Sequence, residues 1–341
     1  MEALTASWNR SPRHPRPQAR RLVPGNELGL PLRSSASDCM SLLLPILLSD
    51  ILPIFAIAAV GFLLARYAAV DVKSVSRVVF YGLLPCLAFR MLIMSTASGP
   101  IVGRLMILAV SIMAAMAVVG YIAARGLGLD GKHVRAFLMV VMFSNSGNYG
   151  LPVVRFAFGP EALTYATIYF LTGSVTTYVA SSFFAESRHG RIVGALDRIW
   201  RMPALYGLTA ALIVLAFGWT VPKAVMGPVT MLSDAAIPVM ILVLGMQLER
   251  AVWPSRPWVV SLAVGISLLA TPCVALGLAS LLRISGPALQ AAVILSSMPV
   301  AVITTILALE FELAPEFVTS AVFISTLASP LTLTPLIAYL S

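Results

Sequence analysis

From residue 42 to residue 340 the chain is a succession of ten apolar runs, at 42–65, 76–94, 102–124, 134–158, 163–184, 204–221, 229–248, 259–282, 288–309 and 317–340. Each is long enough to cross a hydrocarbon core of about 30 Å if modest tilt is allowed. Lipid offers backbone N–H and C=O groups no partners, so runs of this kind satisfy them internally as α-helices. The fold class read from the sequence is therefore an all-α membrane protein of ten transmembrane helices. Composition points the same way, since 59% of the 341 residues are apolar and 11% charged, against roughly 45–50% and 25% in soluble domains.

The formal charge of +9 does not make a nucleic-acid surface, because the basic residues are scattered in ones and twos between apolar runs, where topology signals sit. The loops after spans 1, 3, 5, 7 and 9 carry twelve Lys and Arg, whereas the alternate loops carry four, Arg104, Arg155, Lys223 and Arg283. By the positive-inside rule the first set is cytoplasmic, which puts both ends of the membrane domain outside. Residues 1–39 hold six Arg and five Pro with no apolar periodicity, a composition expected to be disordered. Their Arg content opposes this orientation unless Met40 is the true start.

Cys39, Cys86 and Cys273 are too few and too far apart for a disulfide framework or a thiolate metal site, and His14, His133 and His189 all lie outside the apolar runs. No metal, cofactor or enzyme activity is expected, for there is no H-E-x-x-H and no nucleophile with an evident base.

Prolines serve as rulers for an internal repeat. Pro85 and Pro238 are 153 residues apart, and Pro152 and Pro299 are 147 apart. Spans 1–5 (residues 40–184) then map onto spans 6–10 (residues 204–341), with 185–203 as a short cytoplasmic loop. Because five is odd, the second copy enters the membrane in the opposite sense, as in many secondary transporters.

Span 4 contains Ser144-Asn145-Ser146-Gly147-Asn148-Tyr149-Gly150-Leu151-Pro152 inside an otherwise apolar run. Polar residues, two glycines and a proline there are expected to interrupt the helical ladder. Non-helical backbone at membrane depth has to face protein or a water-lined cavity, so the break is expected to face a site. Asn145 and Asn148 offer donors and acceptors, Gly147 and Gly150 allow close approach of backbone to a ligand, and Pro152 suits the start of a new half-helix. Span 9 repeats the device as Ser296-Ser297-Met298-Pro299. If both half-helices begin at their prolines, two electropositive N-termini converge near the midplane and a carboxylate is the natural occupant. The bland alternative is a pair of structural kinks.

Five further residues have two readings each. Asp50 in span 1 and Asp234 in span 7 are coupling carboxylates, or else solvated or capping groups near the outer surface. Arg155, like Arg90, attracts an anion or snorkels to the interface. Thr172 and Ser174 in span 5 are hydroxyl ligands or helix-packing residues.

The span-4 motif, the stretch Ala235-Ala236-Ile237-Pro238 leading to Leu244-Gly245-Met246-Gln247-Leu248, and the opening Ile51-Leu52-Pro53-Ile54-Phe55 resemble the auxin efflux carrier family, whose bacterial members are often described as malonate permeases. The likeness covers residues 42 to 340. It implies ten helices in two inverted repeats, with broken helices 4 and 9 crossing in a mobile transport unit and helices 1, 2, 6 and 7 forming a scaffold. It implies passage of small organic anions by an elevator-like movement across a bacterial plasma membrane. The long hydrophilic central loop of many plant members is lacking.

The function expected is thus secondary transport of a small mono- or dicarboxylate bound by Asn145, Gly147, Asn148, Gly150, Pro152, Ser297, Met298 and Pro299. Coupling to a proton or to sodium is open, as is a homodimer. A sodium-coupled symporter of bile-acid-carrier-like architecture is the closest alternative, and a non-transporting membrane sensor a more distant one.

Overall fold

The computed structural model describes residues 43–95, 99–184, 202–249 and 257–341. The leading segment 1–39 and nearly all of the central loop 185–203 lie outside the described residues. Among those described, the chain forms eleven helical segments and one isolated β-bridge. In chain order they are α1 (Leu43–Tyr67), α2 (Val72–Ile93), α3 (Gly99–Gly126), α4 (Gly131–Met142), α5 (Leu151–Ser182), α6 (Pro203–Ala216), α7 (Lys223–Leu248), α8 (Pro257–Leu281), α9 (Gly286–Ser296), α10 (Ile303–Glu310) and α11 (Pro315–Leu340). Six of them, α1, α2, α3, α7, α8 and α11, are by length and composition able to cross a bilayer unbroken.

Local chemistry explains where the helices deviate. Four wide turns, at Leu47–Ile51, Val79–Leu83, Ser146–Gly150 and Ile266–Ala270, each end two residues before a proline: Pro53, Pro85, Pro152 and Pro272. Proline has no N–H to give and its ring presses on the carbonyl one turn back. A turn closed by bonds to the fifth residue moves that carbonyl aside and keeps the helix running. Gly159 has φ 80° and ψ −166°, which with Pro160 directly after it divides α5 into two helices. That division falls between the expected spans 4 and 5.

The prolines used as rulers do not play matching local roles. A wide turn precedes Pro85, whereas Pro238 sits inside the continuous α7. Pro152 is in the first turn of a helix, whereas Pro299 lies in the gap between α9 and α10.

Four helices are joined through their backbones. A Cβ added at Gly61 in α1 would lie 2.1 Å from the Leu242 carbonyl oxygen of α7, and one at Gly245 in α7 only 1.7 Å from the Ala58 carbonyl oxygen of α1. Gly207 brings α6 equally close to α2, 2.2 Å from the Pro85 oxygen. With lipid outside there is little hydrophobic drive to associate, and such small-residue seams let dispersion and weak Cα–H···O contacts hold helices together. The ends of α1 and α7 are also bridged by Arg66 and Glu249 at 3.2 Å. A second face of the protein is built by α5 against α9, α3 against α4 and α8, and α11 against α8.

Candidate functional site

The two interruptions predicted in spans 4 and 9 are present and are bonded to each other. α4 ends at Met142, and Phe143 and Ser144 are non-helical before the wide turn at Ser146. α9 ends at Ser296, and the chain is not helical again until Ile303. Across this gap Ser144 and Val300 form an antiparallel bridge. The Asn145 N–H donates to the Pro299 carbonyl at 2.7 Å, and the Ala301 N–H donates to the Phe143 carbonyl at 2.8 Å. Side chains take up the remaining groups. Ser144 Oγ donates to the Leu295 carbonyl at 2.9 Å, and Ser325 Oγ of α11 accepts from the Val300 N–H at 3.0 Å. This is how non-helical backbone survives at membrane depth, since each break supplies partners for the other.

Beside the breaks lies a cavity of about 900 Å³. Asn145, Gly147 and Asn148 line it from one break, and Ala301, Val302 and Ile303 from the other. The helix beginning at Ser146 and α10 therefore both start at its wall. The first amides of a helix have no partners within it and carry partial positive charge. Lys73 and Arg77 of α2 line the chamber as well, and among the described residues none that lines it is acidic.

Three side-chain atoms at this wall are buried without a hydrogen-bond partner: Asn145 Nδ2, Asn148 Oδ1 and Gln247 Oε1. Asn145 and Asn148 are each only 6% exposed. Leaving such a group unpaired costs about 1–3 kcal/mol, so three together mark a place built for something polar.

The remaining predicted residues sit behind the wall. Gly150 packs on Met298, whose Cγ would be 3.0 Å from an added Cβ. Pro152 is buried in the first turn of α5, and Ser297 Oγ donates to the Val293 carbonyl at 2.6 Å. Pro299 contributes its carbonyl to the bridge rather than a helix start. None of these five lines the chamber, and of the eight predicted substrate residues only Asn145, Gly147 and Asn148 face it. Ser174 faces it too, while Thr172 Oγ1 is spent on the Ile168 carbonyl of its own helix at 3.0 Å. Asp50 accepts from Ser49 at 2.8 Å at the other end of α1 from Arg66. Asp234 and Arg155 belong to a separate cavity.

Gln247, Lys73 and Arg77 were not among the expected site residues. Gln247 stands out as the amide near the end of an otherwise apolar run, a signal the sequence does carry. Lys73 and Arg77 read as topology charges, and only the position of α2 against the breaks turns them toward the chamber.

Residues 46–195 and 193–337 match the family described as membrane transport protein. An uncharacterized transporter of Methanothermobacter thermautotrophicus is 29% identical over 265 residues, covering 76% of this chain and 86% of that protein. An uncharacterized transporter of Methanocaldococcus jannaschii is 26% identical over 267 residues, covering 74% and 85%.

Proposed function

We propose, from the premise that the chain belongs to the auxin efflux carrier family of membrane transport proteins, that it is a secondary active carrier of small organic anions, mono- or dicarboxylates. The observation that carries this reading is the chamber wall. It combines two helix starts, the unpartnered buried Asn145 Nδ2 donor and two cationic residues, with no acid among its described lining residues. A carboxylate brought there gains donors from preorganised groups without requiring a buried lysine.

Alternating access by an elevator-like movement fits the way the helices are joined. α1 with α7 and α6 with α2 are joined along glycine seams, the two pairs pack through α2 and α7, and together they form the scaffold, while the paired breaks ride with α3, α5, α8 and α11. Exchanging the two halves of the chain carries the α1–α7 contact onto α6–α2, and both contacts exist, which supports two inverted five-helix repeats. The chamber is lined by the Lys73–Arg77 end of α2, so under the positive-inside rule its mouth is cytoplasmic and both termini of the membrane domain are outside. The bilayer is the bacterial plasma membrane, and the apolar lipid-facing surface accommodates a homodimer.

Proteoliposomes loaded with buffer and given labelled malonate test the reading. Uptake that saturates, with a half-saturating concentration raised about tenfold or more by Asn145→Ala in protein of unchanged thermal stability, is the expected result. Equal uptake by Asn145→Ala, Asn148→Ala and the parent would remove the chamber from transport. The same assay with sodium exchanged for potassium, and with an imposed pH gradient, identifies the coupling ion.

A further inference from the structure

A second cavity, of about 430 Å³, lies between α1, α2 and α7 on one side and α5 around its Gly159 division on the other. It is reached from the opposite side to the chamber. Along α2 the chamber touches Lys73 and Arg77 while this cavity touches Arg90, and along α7 the chamber touches Gln247 while this cavity touches Asp234. On α5 it is lined by Arg155 and Phe156, about two helical turns (~12 Å) beyond Gly147. Leu151, Val153 and Val154, all fully buried, fill the interval.

The charges in this cavity are not balanced. Arg90 is ion-paired with Asp234, yet its Nε is buried with no partner. Arg155 is exposed and has no salt bridge among the described residues. Ser233, only 2% exposed, keeps its Oγ unpartnered at the same wall. Two guanidinium groups, one carboxylate and a free buried hydroxyl leave one positive charge and spare donors. Arg155 stands on the helix that carries the Asn148 break, whereas Arg90, Ser233 and Asp234 stand on the scaffold.

We infer that this cavity is a second carboxylate site, the docking place for the transported anion on the face opposite the chamber, in which Asp234 occupies Arg90 until a substrate carboxylate takes its place. The inference deepens the transport reading and rests on it for the ligand. The site holds the anion between Arg155 and Arg90, donors well matched to a carboxylate. When the anion displaces Asp234, the link from α5 to the scaffold passes through the substrate.

The test uses full-length protein in liposomes with Cys39, Cys86 and Cys273 replaced by serine and a reporter cysteine introduced as Phe156→Cys. Its rate of modification is measured with an anionic and a cationic methanethiosulfonate of similar size, with and without malonate. Relative to their rates with a free small thiol, the anionic reagent is expected to react faster than the cationic one. Arg155→Gln should lower that ratio at least about threefold, and Asp234→Asn should raise it, as expected for local electrostatic steering. Malonate should slow the reaction in the parent and not in Arg155→Gln. Because Arg155 is exposed and unbridged, its replacement leaves folding intact. A ratio indifferent to Arg155→Gln, or protection that survives it, would overturn the second site. A parallel reporter, Ser174→Cys, reads the chamber. Protection there without any at Phe156→Cys would sink the second site and leave the transport reading standing, while the reverse pattern would support the second site and count against the chamber.

Discussion

Asn145 donates its backbone N–H to the carbonyl of Pro299 at 2.7 Å, so two helix interruptions from opposite halves of the chain are a single structural unit. Each break on its own would leave polar backbone exposed to apolar surroundings. Together they form an isolated antiparallel bridge, with Ser325 taking up the Val300 N–H and Ser144 bonding back to the Leu295 carbonyl of α9. The amides left over belong to the helix starts at the chamber wall.

Ser325 is the side chain that satisfies the Val300 N–H, a fully buried donor. Ser325→Ala removes the acceptor without adding bulk, and is expected to cost about 1–3 kcal/mol of stability. The midpoint of unfolding in mixed detergent with increasing dodecyl sulfate measures it. An unchanged midpoint would mean that the Val300 amide finds another partner.

Gly245 presses directly on the Ala58 carbonyl, where a Cβ would approach to 1.7 Å. Helix propensity alone favours alanine over glycine by about 1 kcal/mol, but here α1 and α7 would have to part. Gly245→Ala is expected to lose folded protein, or to lower stability by about 1–3 kcal/mol. Gly103→Ala in α3, with open space around it, is expected to be neutral or stabilising. Melting curves of the two purified variants decide it.

Lys73 and Arg77 stand at the chamber, where no acidic residue is among the described lining residues. Replacing both with glutamine is expected to raise the half-saturating malonate concentration by about threefold to tenfold, and to flatten its dependence on ionic strength. Uptake assayed between low and high salt checks this. A variant as salt-sensitive as the parent would deny them an attracting role.

Asp130 caps α4, accepting from the backbone N–H groups of Lys132 and His133 at 3.0 Å each, and pairs with the His133 ring at 2.8 Å. The His133 backbone bond first, then its side chain, hold the carboxyl below its ordinary value. A lowered carboxylate pKa contributes stability that is present above the unfolded value of about 4 and is lost as pH falls through the folded value. Thermal stability of the parent relative to Asp130→Asn should therefore be constant near neutrality and converge on the variant below about pH 4. A difference that grows, rather than shrinks, as the pH falls below about 4 would contradict this.

Much of the fold was legible because in lipid the backbone must close its own hydrogen bonds, so apolar length translates directly into helix. Span 3 was expected at 102–124 and the helix runs Gly99–Gly126. The break at Ser144–Asn145 was legible for the same reason, since Asn, Gly and Pro have no cause to interrupt an apolar run except to leave the helix. The role of Pro299 was not legible. Spacing suggested a helix start, but its position is decided by pairing with Asn145 from the other half of the chain.

What the sequence by itself determined is that the chain folds into apolar helices and the two places where they fail, because both follow from local chemistry: apolar length, missing N–H groups and polar side chains. What only the tertiary structure decided is which residues meet. Gln247, Lys73 and Arg77 join Asn145 and Asn148 at one wall, and Arg90, Asp234 and Arg155 gather at another. Among the packings that bring them together, α1 against α7 and α6 against α2 run along glycine seams. A seam is a contact between backbones far apart in the chain, set by close packing that no local pattern encodes.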